Sequence, residues 1–318
     1  MNGRKANWAF LITTVCYIGL IYVLARFFPA VSDSLVLSNL LCELAVILPV
    51  VLFAVFSGER LNSFPGFHKM KAGTVLMVAV FTFLSLPALS LLNLISQLWV
   101  QNEVAAMMES QGQISFGALF LSVGLIAPVF EEMACRGFYY RSYQKSGGSF
   151  KAMLLSALIF ALMHMNFNQA AYAFVMGILA VLLVEATGSL WASMLYHGLI
   201  NGSQALLMYG ILRENPQAYS SQAAAVTNDI LLYGIGVYVV LTAIGLTLSW
   251  AVLVWISNHE GRRGALLQIW RERKGRIASF KEEHDHEKRD KVVTLPLIIS
   301  LLLCIGVMSG ALLLIFAR

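Results

Sequence analysis

Apolar runs separated by short polar segments recur along most of this chain. An α-helix needs about 20 apolar residues to cross the hydrocarbon core of a membrane. Eight or nine runs approach that length, and the fifth and sixth are short and closely joined. The pattern therefore predicts an all-α, polytopic bundle of eight or nine transmembrane helices, at residues 7–29, 35–57, 73–99, 116–141, 150–166, 168–187, 189–212, 229–257 and 293–316.

The composition also indicates a membrane protein. Of the 318 residues, 58% are hydrophobic and 12% are charged, whereas soluble domains carry about 25% charged residues. So few charges cannot cover the surface of a water-soluble globule of this size. This excludes a soluble enzyme, a nucleic-acid-binding protein of the usual kind and a disordered chain.

The distribution of lysine and arginine predicts the orientation, because cytoplasmic loops are enriched in both. With nine spans and a cytoplasmic N-terminus, 18 of the 22 Lys and Arg residues fall in cytoplasmic segments. The chain then divides into N-terminal spans in residues 1–115, a central helix group in 116–212, and C-terminal spans with a basic loop in 213–318.

Two cytoplasmic segments have the pattern of interfacial helices. Residues 258–292 place apolar side chains at near-helical spacing among basic ones, which predicts a basic amphipathic helix on the anionic lipid surface. A solvated linker is the alternative. Residues 57–72 carry a similar mixture. The apolar positions are Leu266, Ile269, Trp270, Ile277 and Phe280 in the first segment, and Leu61, Phe64 and Phe67 in the second.

Ionisable residues inside the apolar runs are candidates for function, because a charge at the centre of a membrane helix costs about 2.5–3.5 kcal/mol. At about 1.5 Å per residue, Glu131, His164 and His197 lie at similar depths, roughly 14–20 Å from the inner face. Three helices thus carry a carboxylate and two imidazoles toward mid-membrane, as a shared site requires. The polar residues within the runs are Glu43, Glu131, Glu132, Arg136, His164, Glu185, His197 and Asn201.

Local spacing separates the two neighbouring glutamates. Glu132 and Arg136 are four residues apart, so they can form an ion pair along one helix. Glu131 points about 100° away from Glu132 and is left free of that pair. His197 and Asn201 are also four residues apart and share one helix face.

Three short motifs contain these residues. The chain has EEMACR at 131–136, FALMH at 160–164 and HGLIN at 197–201, which match EExxxR, FxxxH and HxxxN. They occur in order on successive apolar helices. On these motifs, residues 116–205 resemble the CPBP family, which includes type II CAAX prenyl endopeptidases, bacteriocin-processing and immunity proteins, and proteins similar to lysostaphin-resistance protein A.

The resemblance implies an intramembrane, glutamate-dependent endopeptidase. In that reading Glu131 and His164 activate a water molecule, and His197 and Asn201 stabilise the oxyanion. Glu132 and Arg136 are expected to support the site as an ion pair. Glu43 and Phe160 are candidate cavity residues; for Glu43 a buried structural role is the alternative.

No cofactor is expected, and a zinc-dependent form of the same peptidase is the alternative, since Glu131, His164 and His197 are zinc-ligand types. The chain has no HExxH motif. The expected substrate is a membrane-associated or lipidated peptide or protein, next to membrane lipids and an unidentified protein partner. The expected location is a bacterial plasma membrane. The competing class is a non-catalytic membrane regulator or an immunity protein that acts by binding.

Overall fold

The computed structural model describes residues 2–56, 66–110, 114–218, 227–273 and 292–311, and within them every regular element is a helix. In chain order the helices are α1 Gly3–Phe27, α2 Pro29–Ser32, α3 Leu35–Phe56, α4 Ala72–Ser96, α5 Glu103–Ser110, α6 Phe116–Gly147, α7 Ser149–Met163, α8 Phe167–Thr187, α9 Leu190–Glu214, α10 Asn228–His259, α11 Ala265–Arg273 and α12 Leu295–Met308.

The predicted helical membrane bundle is confirmed, but the count of eight or nine spans is not. In the described part of the chain, six helices are long and apolar enough to cross a membrane: α1, α3, α4, α6, α8 and α10. Helices α7 and α12 have 15 and 14 residues, which gives about 21–23 Å of rise against a hydrocarbon core of about 30 Å. Helix α9 is continuous over 25 residues. Its sequence, however, contains several polar side chains, including those of the HxxxN motif, and α9 is not among the six.

Helix α8 lies at the centre of the bundle. In its most apolar stretch 61% of the residues are buried within the protein, compared with 22% for α10. Helix α8 packs against α4, α7, α9 and α10. The apolar outer faces of the peripheral helices are therefore available to contact lipid. The middle of the bundle is packed densely enough to keep polar side chains out of contact with lipid.

Helix α6 is not a uniform α-helix. It contains two π-helical stretches, Phe120–Ile126 and Met133–Tyr140, on either side of the short α-helical segment Ala127–Glu132. Stretches of π-helix are rare in proteins. Those that occur are often found at functional sites, because they free carbonyl groups and reorient side chains. The EExxxR motif begins in the short α-helical segment and continues into the second π-helical stretch.

The predicted interfacial helix packs partly on the protein itself. In α11, Leu266 and Ile269 are 4% and 1% exposed, and the ring of Trp270 lies 5.4 Å from the ring of Phe150. The apolar face of α11 is therefore docked against the bundle, and the prediction that this face lies on lipid is wrong for Leu266 and Ile269. Residues 274–291, with Ile277 and Phe280, lie outside the described residues, as do Leu61 and Phe64 of the other segment.

A cluster of charged and polar side chains around Glu185 joins α6, α8 and the segment that follows α10. Glu185 of α8 accepts hydrogen bonds from Tyr140 (3.0 Å) and Arg141 (3.2 Å) of α6. Arg262, which follows α10, donates to the backbone carbonyl of Glu185 at 2.8 Å and lies 3.7 Å from its carboxylate. Glu185 is 7% exposed, so this carboxylate joins three chain segments rather than lying at the surface.

The close approach of α7 and α8 depends on Gly177. A Cβ atom at this position would lie 2.8 Å from Cα of Ala157 and 3.2 Å from Nη2 of Arg136. We expect G177A to destabilise the folded protein by about 1–3 kcal/mol, because overpacking forces backbone shifts. Thermal unfolding in detergent, followed by circular dichroism, measures this.

The matched control is G236A in α10, where an added Cβ meets no atom within 4 Å. Alanine exceeds glycine in helix propensity by up to about 1 kcal/mol, so G236A should be neutral or slightly stabilising. Equal unfolding midpoints for G177A and G236A would contradict the packing described for α7 and α8.

Candidate active site

The two glutamates of the EExxxR motif lie on the short α-helical segment Ala127–Glu132 of α6. Successive residues of an α-helix point about 100° apart. Glu132 is completely buried, whereas the Glu131 side chain is 16% exposed. The same helical segment therefore presents one carboxylate to the interior and one to a partly open space.

The ion pair predicted from the spacing is present. Nη1 of Arg136 lies 2.8 Å from Oε1 of Glu132, and both side chains are 0% exposed. The Arg136 guanidinium also lies over the ring of Phe160 of α7, 4.3 Å from its centroid, which is a favourable cation–π geometry. The pair thus connects α6 to α7.

His197 of α9 lies between the two glutamates and is 2% exposed. Its Nδ1 is 3.1 Å from Oε1 of Glu132, and its Nε2 is 3.7 Å from Oε2 of Glu131. The sequence predicted that Glu132 pairs with Arg136 but not that it also contacts His197. This contact joins residues 65 positions apart, so helical periodicity alone gives no signal for it.

Asn201 is held by a main-chain carbonyl group of α6. Its Nδ2 lies 3.1 Å from the Val123 carbonyl oxygen and 3.1 Å from Nε2 of His197. The local sequence explains why this carbonyl is free. The N–H of Ala127 donates to Ser122 in the π-helical register, so Val123 would pair with Pro128, which has no N–H. Pro128 is the sequence signal for this contact.

His164 caps the C-terminus of α7. Its Nδ1 lies 2.8 Å from the Phe160 carbonyl oxygen. The ring of Phe160 has edge contacts with both histidines, with centroids 4.9 Å from His164 and 5.5 Å from His197. The next residue, Met165, has φ of 50°, so the chain turns sharply here. His164 thus joins the cluster through Phe160, and the two histidines flank one ring.

Glu43 of α3 brings a second carboxyl group to Glu131. Glu43 is 5% exposed, and its carboxyl group is close enough to that of Glu131 for the two to interact electrostatically. The Oε2 atoms of both residues are buried without a hydrogen-bond partner. Helix α3 packs directly on the Ala127–Glu132 segment.

The donor atoms are arranged less favourably for a metal than the residue types suggest. Both ring nitrogens of His197 have partners, and one ring nitrogen of His164 is bonded to a carbonyl group. Within the described residues, no three His, Cys, Asp or Glu side chains come together as a set that could hold a metal ion.

Fold and site together define a helical integral membrane protein with a buried cluster of glutamate, histidine and asparagine side chains. Residues 113–203 match the family model described as type II CAAX prenyl endopeptidase Rce1-like. The resemblance to the CPBP family is thereby confirmed over this stretch, which runs from the start of α6 into α9. The Rce1-like family is a protease family. No curated protein and no solved structure matches the chain.

Removal of the Arg136 charge tests the buried ion pair. We expect R136Q to destabilise the protein by about 3–5 kcal/mol, because it leaves Glu132 as a buried charge without its cation. The control on the same helix is R141Q. Arg141 is 20% exposed, and Glu185 keeps Arg262 and Tyr140 as partners, so that we expect a loss below about 1 kcal/mol. Unfolding midpoints in detergent compare the two, and equal losses would contradict this account.

Proposed function

We propose that this protein is an intramembrane endopeptidase that uses Glu131 as the general base for hydrolysis of a peptide bond. The single observation that carries the proposal is the Glu131 carboxyl group, whose buried Oε2 has no hydrogen-bond partner and lies 3.7 Å from Nε2 of His197. A carboxylate without a fixed partner, inside a low-dielectric bundle, is suited to accept a proton from water. The family match of residues 113–203 supports a protease of the CAAX type.

His164 is the proposed second group that activates the water. A carbonyl oxygen only accepts, so its contact with Phe160 makes Nδ1 of His164 the donor. In a neutral ring the other nitrogen, Nε2, then carries a lone pair and can accept a proton. This tautomer suits a base, in agreement with the role that the resemblance implies for His164.

His197 and Asn201 are the proposed residues that stabilise the tetrahedral oxyanion. Donors in such a position typically contribute about 2.7–4 kcal/mol each. Their support is that Nε2 of His197 lies 3.7 Å from Oε2 of Glu131 and that Asn201 is in direct contact with His197. Glu132 and Arg136 hold the cluster from the buried side, and Glu43 lines it from α3.

The proposed substrate is a membrane-associated or lipidated peptide, because the site is enclosed by helices that lie within a bilayer. The description of the matching family names prenyl endopeptidases. For this chain we propose a bacterial plasma membrane as the location, and the concentration of Lys and Arg in one set of loops supports a cytoplasmic N-terminus. The reaction needs water, and the 16% exposure of the Glu131 side chain is the proposed route by which water reaches it.

The sharpest test is E131Q in liposomes, with a fluorogenic peptide that carries a farnesylated cysteine near its C-terminus. The same peptide without the lipid is measured in parallel. We expect E131Q to fold normally and kcat to fall by about 10²–10⁴-fold, because only proton transfer is removed. The matched control is E103Q, the same change at an exposed position of α5, which should cleave like the wild type.

Two results would count against this assignment. If E131Q still turns over while a well-folded E132Q does not, the roles of the two glutamates are reversed. If the wild type cleaves neither peptide, and wild type and E131Q engage a membrane partner equally, the non-catalytic alternative is favoured. Unfolding midpoints for every variant separate loss of chemistry from loss of fold.

We further propose that hydrolysis needs no metal, which the bonded ring nitrogens of His197 support. Purified protein treated with a strong chelator and checked by elemental analysis should keep its cleavage rate. A chelator-resistant rate from metal-free protein is the expected result. Loss of activity that added zinc alone restores would overturn this prediction and favour the zinc-dependent alternative.

A further inference from the structure

Glu43 of α3 is a buried carboxyl group without a cation. It is 5% exposed. The ion pairs formed within the described residues belong to other glutamates, and none involves Glu43. An ionised carboxylate that is removed from water without a cation is costly, and such a group usually keeps its proton instead. Burial and the lack of a cation therefore indicate that Glu43 is a neutral carboxylic acid.

The titratable groups that face Glu43 are acids as well. Those close enough to interact with it electrostatically come from α1, α3 and α6, and they are Tyr17, Cys42, Glu131 and Cys135. A phenol or a thiol is uncharged while it holds its proton, and an ionised carboxyl group carries the same charge as an ionised Glu43. None of these groups can compensate a negative charge on Glu43, and the carboxyl group of Glu131 opposes it.

Two carboxyl oxygens at this place lack a hydrogen-bond donor. Oε2 of Glu43 and Oε2 of Glu131 are both buried without a hydrogen-bond partner. While both groups are ionised, their oxygens only accept, so the two groups cannot satisfy each other. A proton on one of them turns an acceptor into a donor. Helix α3 packs directly on the Ala127–Glu132 segment, so one proton can serve both carboxyl groups.

Of the two glutamates, Glu131 is the better placed to carry the negative charge. Its side chain is 16% exposed, and Nε2 of His197 lies 3.7 Å from its Oε2. Glu43 is more deeply buried, at 5%, and in the described part of the chain no imidazole or guanidinium group forms an ion pair with it. A charge is favoured where more solvent and an imidazole are near. The proton therefore belongs on Glu43.

We propose that Glu43 is a positioning residue that stays protonated at neutral pH and donates a hydrogen bond to the Glu131 carboxylate. The inference rests on the proposed peptidase function and deepens it. A hydrogen bond to the charged form favours that form, so Glu43 keeps Glu131 ionised, as a general base must be, and fixes its orientation. A carboxylate has two oxygens and about four lone-pair sites, so the contact leaves room for the water that Glu131 deprotonates. The roles proposed for His164, His197 and Asn201 are unchanged.

The protonation of Glu43 can be measured without any cleavage assay. Infrared spectra are recorded at neutral pH in a detergent that has no ester or carboxyl group, and the C=O stretching band of a protonated carboxylic acid is followed. We expect E43Q to lose such a band that the wild type shows, and E131Q to retain it. If E43Q loses no band, or if E131Q loses the same band, the proposal is overturned, because the proton is then not held on Glu43.

The kinetic test compares E43M with E43Q on the farnesylated peptide. Methionine fills a similar volume but cannot donate a hydrogen bond. We expect kcat of E43M to fall by about 10–100-fold, as for the loss of one hydrogen bond to a charged group. Glutamine has an N–H that can donate in place of the carboxylic acid, so E43Q should restore most of this loss. The matched control is E103M, the same change at an exposed position of α5, which should cleave like the wild type.

Two kinetic results would overturn the positioning role. One is a kcat of E43M within a few fold of the wild type. The other is a rate of E43Q as low as that of E43M, because Glu43 would then act through its charge or by carrying a proton. Unfolding midpoints separate loss of chemistry from loss of fold, and if E43M does not fold, the infrared comparison decides. Failure of the peptidase proposal has a different signature, an unchanged rate in E131Q relative to E103Q, and it leaves the infrared result for Glu43 intact.

Discussion

A guanidinium group with no exposed surface organises the centre of this protein. Arginine remains protonated in proteins, so the Arg136 charge must be neutralised where it lies, out of water and lipid. Glu132 neutralises it one helical turn away, and the ring of Phe160 covers its face. The absence of a side chain at Gly177 leaves room for its Nη2 atom. One buried charge thus constrains the relative positions of α6, α7 and α8.

The same ion pair extends to the chemistry, because Oε1 of Glu132 contacts both Arg136 and His197. A carboxylate that is held ionised by arginine is a fixed acceptor for the imidazole. The ion pair therefore determines the orientation of a histidine on α9, a helix with which it shares no sequence proximity. The stability of the protein and the geometry of the site therefore both depend on Oε1 of Glu132. Substitutions at Glu132 are expected to affect both.

Helical spacing in the sequence predicted those contacts of the site that form within a single helix. The four-residue spacings predicted the Glu132–Arg136 pair and the shared face of His197 and Asn201, and both are present. The contact between His197 and Glu132 was not predicted, since it depends on how α6 and α9 cross. Nor were the π-helical stretches of α6, because they arise from packing and from a proline whose effect is visible only once the hydrogen-bond register is known.

The amphipathic pattern near residue 266 shows a different limit. Alternation of apolar and basic residues predicts that one face is removed from water, but it does not say whether lipid or protein covers that face. In the structure Leu266 and Ile269 pack against the bundle, while Leu267 remains exposed at 56%. The sequence pattern thus correctly predicted an amphipathic helix. It was wrong about what covers the apolar face at Leu266 and Ile269, which is protein rather than lipid.

Glu43 shows that the candidate site extends beyond the family match. The match begins at residue 113, whereas Glu43 lies on α3 and interacts electrostatically with the proposed base, Glu131. Two carboxylates at this separation repel each other when both are ionised. The electrostatic surroundings of Glu131 therefore include a residue of α3 as well as residues of α6 and α9. The division at residue 115 remains a prediction about sequence, and the chemistry proposed for Glu131 involves residues on both sides of it.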